Sequence, residues 1–199
     1  MKAFFVKHSY DMVKMFLNQF AIAVFGFVLA LATSMADSPV LRNVTSVGAI
    51  IFYMFLLYSM TWDIGYADRV AVTSGKQQRN LWKGTLISLC ANVPNFLFAI
   101  FIMLAQLLNV EALSNIGGFC ASAALFLEGM FTGLLTNPVG GAPLNSYWFV
   151  YFLLPIPALL TSTVSYLAGL YDKKMTKLFN PLYPESDRDP SSRKRRRDD

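Results

Sequence analysis

Five long apolar blocks constrain this chain more than any motif does: residues 15–33, 44–62, 84–109, 118–136 and 147–170. A run of about 20 apolar residues, as a helix rising 1.5 Å per residue, covers the roughly 30 Å hydrocarbon core of a bilayer. Backbone N–H and C=O groups find no water there, so a helix must satisfy them internally. The blocks are continuous and do not alternate as short strands would. Charged residues make up 15% of the chain, against about 25% in a soluble domain. The fold class is therefore an all-α polytopic membrane protein, with one helical bundle over residues 15–170.

The block at 118–136 is the odd one. It carries Glu128, the one charge well inside an apolar block. At 100° per residue, Gly118, Ser122, Glu128, Gly129 and Gly133 fall on a small, polar face, and Phe119, Phe126, Met130 and Leu134 fall on the opposite one. Gly129 and Gly133 form a small-xxx-small pair that admits a second backbone. Residues 137–143, with two prolines and two glycines, cannot continue a helix. The block either crosses the membrane or dips in and returns on the side from which it came.

Basic residues discriminate between these. Of 17 Lys and Arg, three lie in residues 1–14, Arg42 lies alone in the first connection, four lie in residues 63–83 and nine in residues 171–199. With five spans neither side dominates. With four spans and both termini inside, every one but Arg42 is cytoplasmic, as the positive-inside rule favours. A charge at a helix centre also costs about 2.5–3.5 kcal/mol to insert. The expectation is four transmembrane helices (15–33, 44–62, 84–109, 147–170) plus a re-entrant or interfacial helix at 118–136. Five transmembrane helices is the alternative. The expected location is a bacterial cytoplasmic membrane with both termini cytoplasmic.

Residues 1–14 form a basic, amphipathic lead. With the first block they have the outline of a signal peptide, but the run is too long and Asn18-Gln19 interrupts its first turns, so an uncleaved span is expected. Residues 63–83 are expected as a solvated cytoplasmic loop, and residues 110–116 as a short connection. Ser74-Gly75-Lys76 is no phosphate loop, because Val70 and Gln77 replace the required Gly and Ser or Thr. In the third block, Ser88, Asn92, Asn95 and Gln106 make a polar stripe, and Pro94 is expected to kink the helix. Trp62 and Trp82 are expected at the inner interface and Trp148 at the outer one. Residues 171–199 are expected to be largely disordered, with Arg193, Lys194, Arg195, Arg196 and Arg197 attracted to anionic lipid.

Little catalytic chemistry is open to this composition. His8 is the sole histidine and lies far from the apolar blocks' centres, and no GxSxG, HExxH or GxGxxG pattern occurs. Cys90 and Cys120 form no disulfide framework. No enzyme activity, cofactor or metal is expected, and the Arg-rich tail lacks the interleaved aromatics that stack nucleic-acid bases. The leading reading is an accessory or assembly subunit of a membrane complex, with transport as the alternative. It would bind lipid and a protein partner or a second copy through the small-residue face of Gly118, Ser122, Gly129 and Gly133. The other is a transporter component for a small solute or ion, with Glu128, Asn92, Asn95, Gln106 and Ser88 as a polar intramembrane site.

Overall fold

The computed structural model describes residues 2–35, 38–108 and 110–173. It is mostly helical. Helix α1 (Lys2–Ser34) and helix α2 (Pro39–Thr73) form an antiparallel pair. Ser38 caps α2 by accepting the Leu41 N–H, and Pro39 opens it, where a missing N–H costs nothing. Helix α3 (Lys83–Ala91) and helix α4 (Val93–Leu108) follow each other with a 56° bend at Asn92. Helix α5 (Glu111–Leu127) ends at Glu128. The chain then turns by 82° through a 3-10 turn (Gly129–Phe131) into short α6 (Thr132–Leu135).

A two-residue hairpin pairs β1 (Pro138–Val139) with β2 (Ala142–Pro143). Its turn is Gly140-Gly141, with φ of 64° and 90°, which only glycine adopts without strain. Helix α7 (Trp148–Leu153) and helix α8 (Ile156–Leu170) then run as one span from Trp148 to Leu170. Among the described residues three helices are long and apolar enough to cross a membrane: His8–Ser34, Pro39–Thr73 and Trp148–Leu170. The two bent pairs raise that to five if each counts as one span.

Helices α2 and α8 approach closely through glycine. A Cβ added at Gly65 would strike the Tyr166 carbonyl, and one at Gly169 would strike the Trp62 carbonyl. Ser165 Oγ donates to the Tyr58 carbonyl across the same contact at 2.5 Å. The interior is filled by Leu57, Ile87, Met130 and Leu135 together with buried Tyr53. Large apolar side chains such as Ile51, Phe55, Phe119, Leu160 and Val164 face outward. That outer surface is compatible with a lipid environment, in which apolar exposure carries no hydrophobic penalty.

Three expectations about the elements need correction. The loop expected at 63–83 is mostly helix, because α2 continues to Thr73. Charge excludes a segment from hydrocarbon but does not stop helix hydrogen bonding. The connection expected at 110–116 is the start of α5. The helix expected over 118–136 breaks at Glu128, so the faces drawn on a continuous wheel do not persist beyond it. The kink expected in the third block is present: the helix bends by 56° at Asn92, two residues before Pro94, on the N-terminal side where the proline ring and its missing N–H disturb the preceding turn. The basic cluster at 193–197 lies outside the described residues.

Candidate functional site: a buried carboxylate between two helix breaks

The breaks at Asn92 and Glu128 meet in the interior. Helix α1 closes on the Glu128 break from another side: a Cβ at Gly129 would strike the Ala23 carbonyl, so its absence lets the turn after α5 lie against α1. Gln19 is one helical turn before Ala23 on that helix, and this places its amide over Glu128. Gln19 Nε2 donates to Glu128 Oε1 at 2.9 Å. From the other side, Asn95 Nδ2 donates to the same oxygen at 2.8 Å. It also donates to Asn92 Oδ1 at 3.0 Å. Asn92 Nδ2 in turn donates to the Ser88 carbonyl at 2.9 Å, reinforcing the last turn of α3 at the break.

All four polar side chains are buried: Glu128 is 3% exposed, Gln19 1%, Asn92 1% and Asn95 5%. Among the described residues no Lys, Arg or His forms an ion pair with Glu128. The Glu128 carboxyl group is thus held by two neutral amides, those of Gln19 and Asn95. Asn95 Oδ1, the Tyr53 hydroxyl and Ser88 Oγ are buried without a hydrogen-bond partner. Unpaired buried acceptors are uncommon in native interiors and call for an explanation.

The structure brings together Glu128, Asn92 and Asn95, with Ser88 joined through its carbonyl. Gln106 stands apart. It shares α4 with Asn95, but 11 residues on, about 16 Å along the axis, where its amide donates to the Ser146 carbonyl at 3.2 Å. On α8, Thr161 and Ser165 face α2, through Met54 Sδ and the Tyr58 carbonyl. The small-residue face divides at the break. Gly129 and Gly133 pack inside the chain, with Gly133 N–H donating to Ser46 Oγ at 2.9 Å. Gly118 and Ser122 are exposed on α5; space beside Gly118 is open, and Ser122 donates to the Gly118 carbonyl.

Sequence reasoning missed Gln19. Its signal was present: an amide in the middle of a long apolar run has to find a polar partner. It also missed a second buried cluster. Lys83 Nζ lies 2.7 Å from both oxygens of Asp68, and the Tyr166 hydroxyl donates to Asp68 Oδ2 at 2.8 Å. The same hydroxyl is 2.9 Å from the Asn80 carbonyl, so one proton serves two acceptors. This cluster ties α2, α3 and α8 together. Arg69 pairs with Asp172 beside it, and the Arg79 guanidinium lies 4.5 Å from the Tyr171 ring centre. Among the described residues no three His, Cys, Asp or Glu side chains group as metal ligands. No family profile, curated protein or solved structure matches the chain.

Proposed function

We propose that this chain is a component of a membrane transport system for a small solute or ion, and that Glu128 with Asn95, Asn92 and Gln19 is its binding site. The observation that carries this reading is the meeting of two helix breaks around one buried carboxylate that has no basic partner among the described residues. Discontinuous helices at membrane depth are tolerated where they line a protein-enclosed polar site, and carriers bind their cargo at such breaks. An unpaired intramembrane carboxylate is costly and is retained for function by default.

The topology proposed with it is four crossings and a re-entrant segment. Glu111 follows α4 directly, at the end where Gln106 meets Ser146. After the bend at Glu128, the Asn137 amide donates to Asn43 Oδ1 at 2.9 Å, near the start of α2. The start of α2 and the end of α4 fall on one side under this topology, which supports α5 and α6 entering and leaving there. The charge distribution supports cytoplasmic termini. The bacterial cytoplasmic membrane remains the proposed location.

An assembly role through the small-residue face has less support, because Gly129 and Gly133 are already covered from within the chain. The test is flux through reconstituted protein. Proteoliposomes carrying the wild-type chain, loaded with pH- or alkali-ion-sensitive dye, are expected to dissipate an imposed gradient. Glu128→Gln is expected to abolish that dissipation. Equal rates in the two preparations would overturn the proposal.

A further inference from the structure

We infer that the Glu128 site takes a dehydrated alkali cation, held by oxygens of Glu128, Asn92, Asn95 and Gln19. This deepens the transport reading and rests on it for the role of the site, though not for the binding itself.

The ligand chemistry follows from what faces the carboxylate. Every side chain in the cluster offers oxygen: one carboxylate and three carboxamides. Oxygen-only sets suit hard cations and disfavour the softer transition metals, which seek imidazole and thiolate. The charge count follows from burial. One carboxylate balances one positive charge, whereas a divalent ion would leave a net charge in an interior where unpaired charge is strongly unfavourable.

The amides supply the switch. Gln19 and Asn95 both direct N–H groups at the same Glu128 oxygen. A half-turn about the terminal bond of each exchanges its NH2 for its C=O. Three oxygens would then converge and repel unless a cation sat among them. Asn92 Oδ1, which now accepts from Asn95, would lose its donor and become a further ligand. The same rotation would give the unpartnered Asn95 Oδ1 a role that it lacks with the amide in its present orientation. The site thus has a cation-free form, closed by N–H donors, and a cation-bound form built from the same atoms. Cation binding would also change what holds the turn after α5 to α1, coupling occupancy to the two helix breaks.

The experiment is calorimetric titration of the full chain in lipid nanodiscs with LiCl, NaCl or KCl, choline chloride maintaining ionic strength. One alkali cation per chain is expected, with choline inert. Glu128→Gln is expected to remove binding, and Asn95→Ala to weaken it by about tenfold. Thermal stability of the wild-type chain in the same salts gives a second readout that needs no variant, because a ligand of the folded state stabilises it. No response of the wild-type chain to any alkali cation, with a response to pH alone, would overturn the inference and leave a proton-coupled transport role standing. Undiminished binding in Glu128→Gln would overturn it as well. Cation binding accompanied by unaltered flux in Glu128→Gln would instead retain the cation site and remove the transport role.

Discussion

Gln19 and Glu128 meet at 2.9 Å although 109 positions separate them. The contact joins the first helix to the break that ends α5, and it exists because Gly129 lets the two backbones close. Gln19→Leu leaves Glu128 Oε1 with one donor in a buried site. A loss of about 1–3 kcal/mol of stability is expected, the usual penalty for removing one partner of a buried polar group. Thermal or denaturant unfolding in detergent measures it, and an unshifted transition would mean that the amide does not support the carboxylate.

The buried pair of Asp68 and Lys83 predicts an asymmetry between single and double changes. Lys83→Met strands a carboxylate that is almost fully buried. The cost should be about 3–5 kcal/mol, because breaking a buried pair leaves an uncompensated charge. Adding Asp68→Asn removes that charge, and the double variant should recover most of the loss. A double variant no more stable than Lys83→Met alone would show that the charge pairing is not what α3 depends on here.

Close approach of α2 and α8 requires glycine at position 169, where any Cβ meets the Trp62 carbonyl. Gly169→Leu is expected to reduce the yield of folded, monodisperse protein severely. Gly118→Ala, where the space is open, should fall within about 0.5 kcal/mol of the parent. Size-exclusion chromatography of the two variants compares them directly, and equal behaviour would argue that the helices are not in backbone contact.

Sidedness tests the re-entrant path. Single cysteines replacing Glu111, Val139 and Lys76, in a background lacking Cys90 and Cys120, can be probed with a membrane-impermeant thiol reagent. Glu111 and Val139 are exposed and flank the bent segment. Both should label from the outside, and Lys76 from the inside. Labelling of Glu111 and Val139 from opposite faces would establish a fifth crossing.

Block length, composition and the placement of basic residues make the helical class legible without coordinates, because each depends on transfer of residues between water and hydrocarbon. Glu128, Asn92 and Asn95 were legible as candidates for the same reason: a polar group in an apolar run stands out wherever it lies. Their association was not legible. A helical wheel assumes an unbroken helix, and α5 breaks at the very residue in question. Gln106 illustrates the converse error, since it shares a stripe with Asn95 but lies too far along the axis to reach Glu128.

What linear order could establish was thus the solvent each segment prefers, which is additive along the chain. What it could not establish was which polar groups pair, because that depends on where two backbones come within a glycine's reach. Gly129 against Ala23, and the bend at Asn92, bring Gln19, Asn95 and Glu128 to one point. Close approach of this kind is a property of packed surfaces, and no local preference of any one segment encodes it.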